Sequence, residues 1–454
     1  MQKNITVVGA GLVGTLLSIY LSKRNHRVAI YERRADMRLN DTAAGRSINL
    51  ALSDRGIRAL EKAGLMEEVK KICIPMHGRF VHLADGSSNF QPYGKEGQFI
   101  NSISRADLNI LLLNACEQNE VELNFSLKCD QIDFHKNEIF FIDEYSENTR
   151  VERPDIIFAA DGSYSAARLQ HQVHSPMFDY HQFYIDYGYK ELSIPPGING
   201  EFLLAKNALH IWPRGNYMLI ALPNMDGSFT VTLFFPFKGD PSFDSLKTTE
   251  QVNDFFKNTF ADAFPLMTTL EEDYFNNPSS PLVTVKCSPW IREDHFALIG
   301  DAAHAMVPFF GQGMNCGFED CFVLDGLIEK YGDDWSAILA NYQDSRKENA
   351  DAIADMALNN FVEMRNKVAD ENFILQKKIE SWFAHLHPKK WIPAYSMVTF
   401  NPDISYSDAL KRGQIQDKIM EDVLQIENIH NNWQNNEVEK AIISGYQKYF
   451  NEAF

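Results

Sequence analysis

Positive charge and thiols are both scarce in this chain. Its 43 lysines and arginines face 61 acidic side chains, and the net charge of -18 argues against nucleic acid or an anionic membrane surface as the main partner. No stretch approaches the ~18 consecutive apolar residues of a membrane span. The first apolar run starts at Ile5, leaving no room ahead of it for a signal peptide. A soluble, cytoplasmic protein is expected. The six cysteines, Cys73, Cys116, Cys129, Cys287, Cys316 and Cys321, form no Cys-x-x-Cys pair and lack a histidine at metal-ligand spacing. No metal is therefore expected, and reduced thiols suit a reducing compartment. Cys316 reads as a small packed residue. Neither internal repeats nor low-complexity tracts interrupt the 454 residues, a length that leaves ample core and fits a two-domain or an extended one-domain chain.

What is present is glycine in meaningful places. Residues 5–8 suit a buried strand and 12–21 read as a helix behind it, so the turn GAGLVG sits between strand and helix. Gly9 permits the tight turn, Gly11 lets a pyrophosphate approach the backbone, and Gly14 lets the helix close on the strand. The helix N-terminus then offers unpaired N–H groups to phosphate. A second strand, 28–31, ends at Glu32, a carboxylate suited to accept hydrogen bonds from a ribose.

Such a turn serves NAD as readily as FAD, and two later segments decide for the flavin. ADGSYSAAR at 160–168 resembles the Asp-Gly fingerprint of flavoprotein monooxygenases, with Asp161 at a strand end near both flavin and pyridine nucleotide. Read without that likeness, it is a strand-terminating turn with Arg168 on a solvated helix face. GDAAHAMVPFFGQGMN at 300–315 resembles the Gly-Asp motif of the same group, in which Asp301 reaches the ribityl chain of FAD. A helix starting at 311–315 sets a positive dipole near the flavin, where the reduced ring gathers negative charge. Pro308, Phe309 and Phe310 suit a dry wall beside it. His304 reads as structural, since nothing in the sequence marks a partner. There is no second Gly-x-Gly-x-x-Gly unit, so a nicotinamide nucleotide is expected to dock transiently.

The expected fold is α/β: a Rossmann-like FAD-binding domain, an antiparallel-sheet substrate domain and a C-terminal helical region. Residues 1–171 carry the first part of the FAD-binding domain, with a substrate-domain hairpin near 75–100. Alternating, aromatic-rich runs at 208–212, 217–222 and 229–237 make 172–285 an antiparallel sheet. The frame resumes over 286–365, and 366–454 forms a helical cap with breaks at Pro388 and Pro393. Residues 54–70 and 105–117 are expected as helices, and 151–160 as one buried strand.

The blocks GRSINLALSDRG (45–56), QPYG (91–94), SISRADLN (102–109), HIWPRG (210–215), ALPNMDGSFTVTLFFPF (221–237) and GDAAHAMVPFFGQGMNCGFEDC (300–321) carry a closer likeness. The chain resembles the kynurenine 3-monooxygenase family from its N-terminus to about Arg412. The resemblance implies a bound FAD, NADPH as transient cosubstrate, and conversion of L-kynurenine with O2 to 3-hydroxy-L-kynurenine and water through a C4a-hydroperoxyflavin, a step in tryptophan degradation towards quinolinate and NAD. It assigns substrate binding to Arg79, Tyr93, Asn360 and Tyr395. A guanidinium fork supported by a phenol suits the carboxylate of an amino acid. To the glycines it adds Val13, Tyr31, Glu32, Arg33, Arg34, Ala51 and Arg105, with Asp301, Met314 and Asn315 at the flavin end. No side chain is expected as catalytic nucleophile, because the cofactor carries the difficult step.

Some family members carry a membrane-anchoring tail, whereas from Asp417 onward this sequence is polar. Two other readings remain: a flavin hydroxylase of another aromatic acid, and a non-catalytic FAD redox-sensing module. Product analysis with kynurenine separates the first, and absence of turnover would mark the second.

Overall fold

Ile5, Val7 and Val8 are buried, and a strand apolar on both faces belongs inside a parallel sheet. Asn4–Val8 takes that place in a six-stranded sheet ordered Ile291–Arg292, Phe296–Leu298, Ile156–Ala159, Asn4–Val8, Arg27–Tyr31, Glu122–Asn124. Its pairings are parallel except at the antiparallel edge Ile291–Arg292. The computed structural model describes residues 1–39, 49–366, 370–451 and 454, so 45–48 of the block at 45–56 lie outside it. Helix Leu12–Lys23 packs against Arg105–Gln118 and Gly313–Tyr331.

The antiparallel sheet has seven strands, ordered Ser280–Ser288, Asp179–Ile194, Phe229–Pro236, Tyr217–Pro223, Leu209–Arg214, Gly78–His82, Ser88–Pro92. Along Phe229–Pro236 the two-residue period decides which face each side chain serves. Phe229, Val231, Leu233 and Phe235 face a core with Val252, Phe256 and Phe260, whereas Phe234 joins a second core with Val307 and Phe309. The sheet is thus buried on both sides. The hairpin 78–92 extends it through a parallel pairing of Arg79 with Leu209 and Phe80 with His210.

The α/β class, the antiparallel sheet and the helical C-terminal region match the sequence reading. Two elements differ. The expected strand 151–160 is two, Thr149–Glu152 in a small antiparallel sheet and Ile156–Ala159 in the parallel one. Pro154 between them has no N–H and restricts Arg153. The expected helix 54–70 breaks at Gly64, at φ +75°, into Asp54–Lys62 and Met66–Val69. Among the described residues no helix is long and apolar enough to cross a membrane.

Helices Glu371–Leu386, Tyr406–Val423 and Asn436–Phe450 share a core of Ile379, Phe383, Ile419, Val438 and Ile442. Arg55, 1% exposed, fastens this region to the nucleotide frame. Its Nη1 donates to Glu319 Oε1 at 2.6 Å and its Nε to the Val398 carbonyl at 2.9 Å, while its guanidinium lies 3.9 Å from the Tyr406 ring. Removing one partner of such a buried pair leaves the rest uncompensated. Arg55→Met is therefore expected to cost about 3–5 kcal/mol, read as a lower thermal midpoint and faster proteolysis after residue 386; an unchanged midpoint would contradict this role.

Candidate active site

The first glycine turn is built by collision and by space. A Cβ on Gly9, at φ +102°, would sit 2.6 Å from the Ala160 carbonyl oxygen, and one on Gly14 would strike the carbonyl of Gly9. A Cβ on Gly11 would meet nothing within 4 Å. Gly11 is the N-cap of Leu12–Lys23, with an ordinary φ of -73° and no acidic side chain in the first turn. The fold needs glycine at 9 and 14, whereas at 11 the open room stands before a helix N-terminus, where a pyrophosphate fits.

Glu32 is 7% exposed, and its Oε2 accepts the Ala10 N–H at 2.9 Å while Oε1 accepts Arg34 N and Nε at 3.0 and 2.8 Å. Burial opposes its ionisation, yet Arg34 and these backbone donors hold the carboxyl below its usual range. Tyr31 contributes its carbonyl, which accepts Gly9 N–H at 2.8 Å. Its ring is engaged elsewhere, stacked on Phe141 at 4.1 Å. Arg33 and Arg105 are exposed.

Arg168 joins the second segment to the third. It is 4% exposed rather than on a solvated face, and its guanidinium donates to the carbonyls of Ala302 and Ser163 at 2.8 and 2.7 Å. Asp161 accepts Ser165 Oγ at 2.5 Å and Ala167 N–H at 3.1 Å, so its carboxylate shapes this turn. Burial pushes its pKa up. In the third segment, Gly300 (φ +60°) leaves its face against Val13, and Asp301 is exposed at the start of a short helix. The Asn315 side chain is spent on the protein: Nδ2 donates to Ala51 and Gly311 carbonyls at 2.8 and 3.0 Å, and Oδ1 accepts Ser53 N–H at 2.9 Å. Only its backbone, in the first turn of Gly313–Tyr331 beside the half-buried Met314, is left to face a cofactor.

His304 has the partner that the sequence does not reveal. Its Nε2 lies 2.5 Å from Asp320 Oδ2, and Asp320 Oδ1 accepts Arg346 Nε at 2.7 Å. Burial works against a charged imidazole, but Asp320 and Cys316 hold its pKa well above the ordinary value. His304, Cys316 and Asp320 present donor atoms within 4.8 Å of one another, as metal ligands would. The Arg346 guanidinium, 3.3 Å from Cys316 Sγ, supplies the cation there instead. All six cysteines are free thiols, and Cys316 is fully buried.

At the far end of the third segment, Arg79, Tyr93 and Tyr395 come together from a strand, a turn and a C-terminal helix. The Arg79 guanidinium lies 5.8 Å from the Tyr93 ring and 5.7 Å from that of Tyr395, and the two rings are 5.7 Å apart. Arg79 Nε is buried without a hydrogen-bond partner, and among the described residues no carboxylate pairs with this guanidinium. Burial raises both phenol pKa values, so both remain O–H donors. Phe310 stacks on Tyr395 at 5.7 Å. Asn360 Nδ2 donates to the Phe309 carbonyl at 2.6 Å. Beside it, Phe309, Phe361, Phe234 and Tyr187 line an aromatic cavity. Phe400 packs on Tyr93 and Tyr395 at 6.4 and 6.2 Å; the sequence pointed to Phe309 and Phe310 but not to Phe361, next to Asn360, or to Phe400, five residues after Tyr395.

The FAD binding domain family model matches residues 2–357. A kynurenine 3-monooxygenase of Flavobacterium johnsoniae is 50% identical over 444 residues, 98% of this chain and 99% of that protein. The chain belongs to the kynurenine 3-monooxygenase family. A pig member, from Sus scrofa, is 44% identical over 429 residues, covering 93% of this chain and 89% of its own. The solved tetrameric 2-methyl-3-hydroxypyridine-5-carboxylic acid oxygenase has a TM-score of 0.66 at 19% identity, over 81% of this chain and 94% of its own. That likeness is one of fold.

For a member of this kynurenine 3-monooxygenase family, the Gly11 geometry separates folding from cofactor binding. Gly11→Val is expected to cost the apoprotein only about 1 kcal/mol of unfolding free energy, the loss of a favourable helix N-cap. FAD affinity should fall at least about tenfold, or 1.4 kcal/mol. Flavin-to-protein absorbance ratios and apoprotein melting decide it; full FAD occupancy in the variant would refute the cradle.

Proposed function

We propose that this chain uses NADPH, a proton and O2 to hydroxylate L-kynurenine at the ring carbon beside its aniline nitrogen, giving 3-hydroxy-L-kynurenine, NADP+ and water. One observation carries the reading beyond the family relationship: a half-buried guanidinium with no carboxylate partner among the described residues, faced by two phenols, beside the aromatic end of the third flavin segment. The division into residues 1–171, 172–285, 286–365 and 366–454 belongs to the same reading, supported by the hairpin 78–92 joining the seven-stranded sheet and by the separate helical core.

Bound FAD supplies electron storage and oxygen activation. The cradle at Gly9, Gly11, Val13 and Gly14, with Glu32, would hold its dinucleotide, and Asp301 and the first turn of Gly313–Tyr331 its flavin half. The chain's own residues orient and enclose. Arg79 forms a bidentate pair with the substrate carboxylate, and Tyr93 and Tyr395 add neutral donors. Phe310 sets the plane against which the aromatic ring rests. Asn360 anchors the turn at Phe309, so that Phe309, Phe361 and Phe234 form a wall that excludes water. No side chain acts as nucleophile, since the aromatic amine already enriches the reacting carbon in electrons. The nicotinamide nucleotide docks transiently, and the acidic surface disfavours nucleic acid. Free thiols fit a cytoplasmic setting.

The FAD-loaded protein should oxidise NADPH rapidly only with L-kynurenine, and chromatography should show 3-hydroxykynurenine. Refusal of kynurenine with turnover of another aromatic acid would favour a different hydroxylase, and no turnover at all a redox module. Arg79→Ala is expected to raise the kynurenine KM roughly 10–100-fold, the ~1.5–3 kcal/mol of hydrogen bonds to a charged group. Tyr395→Phe should cost less, about 2–10-fold. An unchanged KM in Arg79→Ala would show the anchor to be wrong.

A further inference from the structure

The resemblance draws only Arg105 from the block SISRADLN, yet that block ends on a polar residue in an apolar place. Asn109, 7% exposed, lies on the helix Arg105–Gln118 among the buried Leu108, Leu112, Leu113 and Cys116. Asparagine is a poor helix former, and a buried amide without a partner is costly. This amide reaches across to the glycine turn, where its Nδ2 donates to the Ala10 carbonyl at 3.0 Å. A carbonyl only accepts, so the donor end of the amide must face it.

Three consecutive peptide planes make the turn, and each has its own holder. In the first, Ala10 N–H donates to Glu32 Oε2 at 2.9 Å. In the third, the Gly11 carbonyl accepts Thr15 N–H and Oγ1–H at 3.0 and 2.9 Å. The middle plane joins Ala10 to Gly11, and Asn109 is the side chain that holds it. A trans peptide is planar, with its C=O and N–H pointing in opposite directions. The Ala10 carbonyl faces the helix Arg105–Gln118, so the Gly11 N–H points away from that helix. This N–H has no acceptor among the described residues, and it stands at the open room before the helix Leu12–Lys23. We propose that Asn109 is a positioning residue that aims the Gly11 N–H at the pyrophosphate of FAD, an inference that rests on reading the glycine turn as the dinucleotide cradle.

The middle plane needs a holder because its neighbours do not fix it. A peptide can turn between two held planes when rotation about ψ of Ala10 is offset by counter-rotation about φ of Gly11, and glycine has no Cβ to resist that turn. Turned over, the plane would present the Ala10 carbonyl to the phosphates, and oxygen would face oxygen. The Asn109 hydrogen bond removes that state before the cofactor arrives, which is what preorganised binding requires. The same helix carries a contact of a different kind for comparison. Cys116, two turns further on, sets its Sγ 3.4 Å from the Thr15 carbonyl and reaches none of the three planes.

Asn109→Leu keeps the approximate size of the side chain and removes the donor. In full-length protein stripped of FAD and titrated with it again, the FAD dissociation constant of this variant should rise about tenfold, the lower end for one hydrogen bond to a charged group. Cys116→Ala loosens the same pair of helices without touching the turn, and its FAD dissociation constant should stay within about twofold of wild type. Unchanged FAD affinity in Asn109→Leu overturns the inference. So does a loss of affinity that follows the melting temperature alike in both variants, since Asn109 would then only pack. A second measurement needs no variant to fold: in glycine-labelled wild-type protein, NMR should show the Gly11 amide proton exchanging with solvent at least about tenfold more slowly once FAD is bound. Exchange at Gly11 that FAD leaves unchanged overturns the inference as well. Full FAD occupancy in Gly11→Val would refute the cradle itself, whereas loss of FAD there beside an unaffected Asn109→Leu would refute the aiming role alone.

Discussion

Glu319 and Asp320, adjacent on the helix Gly313–Tyr331, are the joint on which the structure turns. Glu319 takes Arg55 on one oxygen and Arg346 on the other, and Asp320 takes Arg346 and His304 while accepting the Gly300 N–H at 3.2 Å. Through these two carboxylates the Gly-Asp turn, the helix that starts at the flavin end and the C-terminal helices are located by one set of contacts. Buried ion pairs are poor sources of net stability, because desolvation cancels much of their attraction. Their directionality is the useful property here, since charge-assisted hydrogen bonds of 2.6–2.7 Å tolerate little displacement.

Fixing the helix fixes both walls of the site. Its N-terminal turn is tied by Asn315 to the strand Asn49–Leu52, and Arg55 reaches the Val398 carbonyl in the same helix that carries Tyr395. Tyr395 is thus held relative to the glycine cradle by a residue that belongs to neither that cradle nor the Arg79 cluster. The opposite wall behaves differently. Arg79 sits on a strand near the edge of the sheet, with its guanidinium unpaired among the described residues. An unpaired cation in a partly buried setting is costly in the free protein, and a ligand carboxylate relieves that cost. Rigidity on one side and an unmet electrostatic demand on the other are what the proposed amino-acid site would require.

Features legible in the sequence were those whose cause is local. Gly9 and Gly300 take positive φ and Gly14 meets the carbonyl of Gly9 five residues back, and the alternating runs at 208–212, 217–222 and 229–237 announced an antiparallel sheet. Arg153-Pro154 was a local signal passed over, and with it the division of 151–160 between two sheets. Arg168 was ambiguous because an arginine on a short helix looks the same whether its carbonyl acceptors lie in solvent or across the core, and Ala302 is 134 residues away. His304 read as structural, but its partners Asp320 and Arg346 could not be paired with it by spacing alone.

By itself the sequence determined the dinucleotide turn, the order of the three flavin segments, the α/β class and, through long matching blocks, the family. These follow from short-range sterics and periodicity, which any window of a few residues expresses. Only the tertiary structure decided which polar groups are satisfied and which are left open. It spent the Asn315 amide on backbone, set Asn360 against Phe309, buried Arg168 and left Arg79 facing two phenols. The reason is that hydrogen bonds and ion pairs are settled by distances of about 3 Å between atoms, and chain separation carries no information about those distances until the fold has closed.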